Sequence, residues 1–293
     1  MLSKKMAMPK NTEKIKTGYK AKQKFWGGVT FICLVLLSFI VLVPFIWMIS
    51  SSLKTDIEVF NIPFEWIPSN PQWRNYIDIW TTIPMTTYLR NTTFLTIIIT
   101  FLQLFTSSFA AYGFSRMRFR GRDTLFLAYL GTIAVPWQAF MIPQFILMRN
   151  LGLTNTLWAL VLLQAFSAFG VFLMRQSYLS IPEELSEAAR IDGLSEYGIY
   201  FKIILPLVKP TLATLTIFTM TFVWNDFMGP FIYLSSSDLF TIQIGLRNLV
   251  GQFSAQYALI MTGSVLSILP IAIVFLCAQR YFIEGIASSG VKG

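Results

Sequence analysis

The sequence predicts an all-α protein that crosses a membrane six times and carries one charged helical element between two of the crossings. Three observations predict it. Hydrophobic residues make up 55% of the chain and charged residues only 13%, against roughly a quarter charged in soluble domains. The apolar residues fall into six long windows, and the lysines and arginines gather in particular connections between those windows. A helix needs about 20 mostly apolar residues to cross the hydrocarbon core, and lipid offers open strands no partners for their backbone groups.

Residues 1–24 hold Lys4, Lys5, Lys10, Lys14, Lys16, Lys20, Lys22 and Lys24 against the single acid Glu13. They read as a flexible basic tail. Most of the net charge of +9 sits there, which points to topology determination and contact with anionic lipid headgroups rather than to nucleic acid. The first window, Gly27 to Ile49, carries no charge, and Pro44 should kink it near its outer end. It is too long for a removed leader, it lacks a small-residue cleavage site, and five more windows follow. Residues 50–90 form the longest connection. Four prolines (Pro63, Pro68, Pro71, Pro84) break it, and Trp66, Trp73, Tyr76 and Trp80 suit either the headgroup level or a cap over the bundle.

The second window, Asn91 to Ser115, is uncharged and is followed by Arg116, Arg118, Arg120 and Arg122. Such a cluster in a short connection marks the cytoplasmic side. The third, Thr124 to Met148, contains Pro136 and Pro143 and should be bent or broken in its outer half. The fourth, Asn150 to Met174, is uncharged. The fifth, Pro210 to Leu234, has one charge, Asp226, and the ring of Pro230 falls on the carbonyl of that same residue. The sixth, Tyr257 to Gln279, is uncharged. The distribution of basic residues puts both termini and the loop 175–209 on the cytoplasmic side, with residues 25–293 as one membrane domain.

The chain has no histidine, which excludes Ser-His or Cys-His catalysis and histidine-ligated metal. Cys33 and Cys277 fall inside apolar windows and read as small packing residues, with no disulfide framework and no metal-ligand spacing. No phosphate-cradling glycine-rich loop is present. A single intramembrane acid supplies no catalytic pair, so an intramembrane enzyme is a remote reading.

The loop 175–209 interrupts this apolar pattern with Ser180-Ile-Pro-Glu-Glu-Leu-Ser-Glu187-Ala188-Ala189-Arg-Ile-Asp192-Gly193, and ten residues later with Ile203-Ile-Leu205-Pro206. Ser180 and Glu183 have the spacing of a reciprocal helix cap. Glu183 and Glu184 suit the positive end of a helix dipole. Gly193 suits a left-handed helix stop, and Ser195 the start of a second short helix. On this chemistry alone, a solvated loop and a docking element remain equally open.

The same residues resemble the signature loop of permease subunits of binding-protein-dependent ABC importers: Glu-Ala-Ala, a glycine four residues on, then Ile-x-Leu-Pro. Further likenesses to the carbohydrate-uptake branch are Met141-Ile-Pro143, Leu151-Gly-Leu-Thr-Asn-Thr156, Leu173-Met-Arg175-Gln, Trp224-Asn-Asp226-Phe and the ending Gln279-Arg-Tyr-Phe-Ile-Glu284-Gly. The six-span plan is similar to the maltose-type second permease. The resemblance implies a coupling helix in which Glu187, Ala188, Ala189, Asp192 and Gly193 shape a surface for a separate ATPase. It implies that Ile203, Leu205 and Pro206 anchor the loop to the bundle. It implies no cofactor on this chain, with ATP and Mg bound by an ATPase dimer, and three further partners: a second permease, an extracellular solute-binding protein and a sugar. Localisation in the cytoplasmic membrane follows.

Trp224, Asn225 and Asp226 are candidates for the solute path, because an intramembrane ionisable group is by default a functional one. The alternatives are a membrane anchor for Trp224 and backbone capping for Asp226. Gln103, Gln138 and Gln164 are lesser candidates, better suited to helix-to-helix hydrogen bonds. The same machinery could instead carry a polyol, a sugar phosphate or another small polar solute. An ion-coupled carrier or channel would require more intramembrane charge than Asp226.

Overall fold

The computed structural model describes the backbone of residues 10–251 and 255–290, and side chains outside 10–22, 24 and 281–290. Lys4, Lys5, the remaining lysine side chains of the tail, the Glu284 side chain and residues 291–293 lie outside that description. Among the described residues there is no β-strand and most are helical, in keeping with the predicted all-α class.

The helices are α1 (Lys10–Ser52), α2 (Asn75–Thr82), α3 (Met85–Arg116), α4 (Arg122–Gly131), α5 (Met141–Asn150), α6 (Leu157–Gln164) and α7 (Ala168–Leu179). They continue as α8 (Glu184–Ile191), α9 (Glu196–Ile199), α10 (Leu205–Leu207), α11 (Lys209–Trp224), α12 (Met228–Tyr233), α13 (Ile242–Asn248) and α14 (Tyr257–Gly290). Helix α1 begins at Lys10, so residues 10–24, read from sequence as a flexible tail, continue the first helix.

Four stretches are long and apolar enough to cross a membrane: Phe25–Ser52, Met85–Arg116, Leu157–Leu179 and Tyr257–Arg280. A fifth combines Glu196–Leu207 with Lys209–Trp224 across a 78° bend. Its first arm, with Glu196 and Lys202, lies outside the fifth apolar window. The third predicted window is no single helix. After α4 the chain makes a 3-10 turn, extends at Val135 and Pro136, makes a second 3-10 turn at Trp137–Ala139, and only then enters α5. Pro136 removes a helical donor, whereas Pro143 is tolerated in the first turn of α5.

Helix α3 is the spine. At 1.5 Å per residue its 32 residues span about 48 Å. It contributes to three cores: Ala111 and Tyr112 with Val171, Met174 and Leu215; Leu95 and Ile99 with Leu160, Val161 and Tyr233; Met85 and Tyr88 with Ile79, Ile242 and Leu246. Polar residues share its buried face with these apolar ones. Thr92, Thr96, Thr100, Gln103, Ser107 and Ser108 are buried, while Ile97, Phe101 and Phe105 are exposed. Lipid gives helices no hydrophobic reason to associate, so small and polar groups make the contacts. Gly170 of α7 lies so close to Ser107 that an added Cβ would collide with the hydroxyl.

No residue of the apolar window of α1 is buried by the rest of the chain, although Val43, Trp47 and Met48 near its end are partly covered. Cys33 and Cys277, predicted to be packing residues, are exposed on the apolar helices α1 and α14. At the end of α1 the long connection is fastened to the start of α14. Asp56 accepts the Ala258 N–H at 2.8 Å, and Thr262 donates to the Ser52 carbonyl at 3.1 Å. Asn75 donates to the Ser52 and Lys54 carbonyls, both at 2.9 Å. Trp66, Trp73 and Trp80 stay exposed, while the Tyr76 hydroxyl bonds Ser52 at 2.8 Å. The connection is thus partly packed and partly an aromatic surface, the mixture its composition suggests.

Candidate functional site: a charged elbow and a polar cavity

Between α7 and α11 the chain builds an elbow. Ser180 does not cap α8. It closes α7 and donates back to the Ser177 carbonyl at 2.8 Å. The reciprocal cap fails because α8 starts at Glu184 with Glu183 itself at the cap position, three residues beyond Ser180; the Glu183 carboxylate instead meets the Arg118 guanidinium at 3.2 Å. The other end of α8 forms as predicted. Gly193 has φ +83°, its N–H bonds the Arg190 carbonyl, and the Leu194 N–H bonds the Ala189 carbonyl, both at 3.0 Å. This is the double bond pattern that closes a helix on a left-handed residue. Ser195 then caps α9 through the Gly198 N–H at 3.3 Å.

Helix α8 has two faces. Ser186 and Ala189 are buried against the bundle. Leu185, Glu187, Ala188, Ile191, Asp192 and Gly193 are exposed, and Tyr197 of α9 beside them is 71% exposed. Four of the five residues assigned to a docking surface therefore share an outward ridge. Ala189 is buried against the bundle, where its small size allows close packing.

The predicted anchor residues divide. Ile203 and Leu205 pack at the edge of the core, and Pro206 is exposed. The fully buried anchors are Ile199, Tyr200 and Ile204. Residues Tyr200–Ile204 form a π-helical turn. Its five-residue closure places Ile204 beneath Ile199, where an α-helix would place Ile203. The apolar pattern was visible in sequence, but the change of period was not.

Hydrogen bonds fix the elbow to α3. The Tyr178 and Tyr200 hydroxyls both meet Ser108 Oγ at 2.6 Å. Arg116 donates to the Tyr178 and Ile181 carbonyls, each at 2.6 Å. Glu196 accepts from Arg190 Nε and from the Tyr112 hydroxyl, each at 2.7 Å. The Arg190 guanidinium, aided by Tyr112, holds the Glu196 carboxyl below the usual range despite the opposing effect of burial. Sequence reading missed Tyr112 and Glu196, because the contact joins residues 84 positions apart.

The second feature is a cavity of about 1160 Å³ walled by aromatic rings, including Phe169, Phe218 and Phe222, and by the polar groups of Gln103, Gln164, Asn225 and Asp226. Two helix interruptions meet on its wall, residues 165–167 between α6 and α7 and residues 225–227 between α11 and α12. Side chains satisfy the freed backbone groups. Gln103 donates to the Gln164 carbonyl at 2.7 Å, and Thr106 to the Ala165 carbonyl at 2.8 Å. Asp226 Oδ1 accepts the Gly229 N–H at 3.1 Å, and Oδ2 accepts from Gln164 Nε2 at 2.8 Å.

The predicted path residues separate. Asn225 and Asp226 line the cavity. Trp224 is buried away from it and donates its indole N–H to the Ser267 carbonyl at 2.9 Å, which joins α11 to α14. Gln103 and Gln164 both bridge helices and line the cavity, while Gln138 is exposed on the 3-10 turn outside it.

The profile of a family described as "Binding-protein-dependent transport system inner membrane component" matches residues 20–288. The arabinooligosaccharides transport system permease protein AraQ of Halalkalibacterium halodurans is 38% identical over 260 residues, covering 88% of this chain and 93% of that protein. The lactose transport system permease protein LacG of Rhizobium radiobacter is 33% identical and covers 89% and 95%. Among solved structures, a chain of a bacterial ABC transporter involved in import of the acidic polysaccharide alginate superposes with a TM-score of 0.79 at 27% identity. That match covers 89% of this chain and 98% of the other. A chain from the alginate transporter in complex with its pentasaccharide-bound periplasmic protein shares the fold, with a TM-score of 0.62 at 13% identity over 89% and 96%.

Proposed function

The chain belongs to the family of binding-protein-dependent transport system inner membrane components, and from that premise we propose that it moves a sugar or oligosaccharide into the cell as one of two permeases driven by a separate ATPase. It is a multi-pass membrane protein. Its six apolar windows act as six crossings: α1, α3, α4 with α5, α6 with α7, α11 with α12, and α14. An even number of crossings returns both termini to the side of the elbow, which the clusters Arg116–Arg122 and Lys4–Lys24 mark as cytoplasmic.

The observation that carries the reading is the outward ridge of Glu187, Ala188, Asp192 and Gly193 on an elbow fixed to the spine helix. Exposed Leu185, Ile191 and Tyr197 beside it give an ATPase cleft an apolar grip. ATP and Mg bind on that partner, and this chain holds no cofactor. A second permease completes the path, and an extracellular binding protein delivers the solute. Moving a two-state gate from 1:99 to 99:1 needs about 5.5 kcal/mol of differential binding, and a fixed elbow transmits such a difference where a loose loop does not.

The test is uptake by proteoliposomes holding this chain, the second permease, the ATPase and the loaded binding protein, with labelled arabinotriose and lactose as probes. Uptake of at least one sugar that stops when ATP is withheld is expected. Sugar uptake that persists without the ATPase overturns the coupling. Uptake confined to a polyol or a sugar phosphate overturns the sugar reading alone.

A further inference from the structure

The two helix interruptions on the cavity wall are tied to each other by one side-chain bond, Gln164 Nε2 to Asp226 Oδ2 at 2.8 Å. The remaining capacity of this pair is uneven. Asp226 Oδ1 is occupied by the Gly229 N–H. The Gln164 backbone carbonyl is occupied by the side-chain amide of Gln103, whose Oε1 accepts from the Thr219 hydroxyl at 3.0 Å. Gln164 Oε1 is a buried acceptor with no partner. An unpartnered buried acceptor is costly, and Gln164 lines the cavity, so its amide, once released from Asp226, gains by turning Oε1 towards a donor there.

The interruptions also separate two cores. On the elbow side, Val171 and Met174 of α7 pack with Leu215 of α11 and with the elbow. On the far side, Leu160 and Val161 of α6 pack with Tyr233 of α12. The Gln164–Asp226 bond sits between these two groups, where each broken helix passes from one core to the other.

We propose that Gln164 and Asp226 form a clasp that reads adjacent hydroxyl groups of the solute. One hydroxyl donates to Asp226 Oδ2 and accepts from Gln164 Nε2, taking the place of their mutual bond. The neighbouring hydroxyl donates to Gln164 Oε1 and satisfies the lone acceptor. An amide and a carboxyl group side by side match a vicinal diol in this way, and the aromatic walls cover the apolar faces of the same ring. Replacing the clasp unties the two interruptions, so the far core can shift relative to the core that carries the elbow. The inference rests on the proposed transport of sugars and assigns the selectivity of the membrane step to this pair.

The experiment uses the complete reconstituted complex and whichever of arabinotriose and lactose it transports, together with each monodeoxy derivative of that sugar. Binding of every derivative to the isolated binding protein is measured separately and divided out of the uptake rates. The wild-type complex should reject derivatives lacking either of two neighbouring hydroxyls by about tenfold beyond the preference of the binding protein, the factor for one well-made hydrogen bond. Asp226→Asn and Gln164→Glu should each abolish that extra selectivity. The double exchange Gln164→Glu with Asp226→Asn rebuilds the bond with donor and acceptor interchanged, so it should restore a selectivity beyond that of the binding protein while the pattern of rejected derivatives changes. A wild-type preference equal to that of the binding protein overturns the clasp while leaving sugar transport intact. So does unchanged selectivity in both single variants. Absence of sugar uptake by the wild-type complex overturns both readings together.

Discussion

Gly193 has open space where a Cβ would project, but its backbone lies at φ +83°. The cost of replacing it is therefore conformational, about 1–2 kcal/mol for a residue with a Cβ. Asparagine tolerates this region better than alanine, and a β-branched residue tolerates it worst. Uptake should fall in the order Gly193→Asn, Gly193→Ala, Gly193→Val, with the valine variant inactive while membrane insertion, followed by protease protection, is unchanged. Glu196 gives a pH prediction. Its folded pKa is depressed by Arg190, so its stabilising effect is complete above the unfolded value near 4.5 and is lost as pH falls through the folded value. The pair is partly exposed, at 37% and 40%, and the effect is correspondingly screened. Hydrogen exchange of the α8 and α9 amides should be slower in wild type than in Glu196→Gln at neutral pH. That difference should stay constant down to about pH 5 and shrink below about pH 4.5.

At the scale of elements, the contact of α3 with α7 depends on Gly170 meeting Ser107. Gly170→Ala should destabilise the purified protein by about 1–3 kcal/mol through overpacking, read as a lower Tm. Ser107→Gly in the same chain should recover most of the loss. An unchanged Tm in the single variant would place the two helices further apart than they are here. Elements were also where the sequence was least complete. The start of α11 with Pro210 in its first turn, the stop at Gly193 and the cap at Ser195 were legible, because each rests on one residue's local chemistry. The broken third window was half legible, since proline signals a break without saying where the chain resumes. The buried side of α8 was not legible. Glu-Ala-Ala spacing fits either face of a short helix, and the core that Ala189 joins includes Ala111 and Tyr112 of α3, which no local pattern brings to it.

For the whole molecule, the class was legible from six uncharged or nearly uncharged windows, and the family from the motif of residues 187–206. The cavity was only partly so. Asp226 stood out as the lone intramembrane acid, but its bond to Gln164 joins positions 62 apart, and no local pattern announces it. The central claim is that the outward ridge of the elbow seats in an ATP-hydrolysing partner on the cytoplasmic side. Exposed Ala188 is the position to probe, with Ala188→Cys introduced after Cys33 and Cys277 are replaced by serine. In the reconstituted complex this thiol should crosslink to the ATPase subunit, with a yield that changes on adding ATP, and in whole cells it should resist a membrane-impermeant thiol reagent. Labelling of that thiol from outside the cell, or no crosslink to the ATPase with or without nucleotide, would contradict the account.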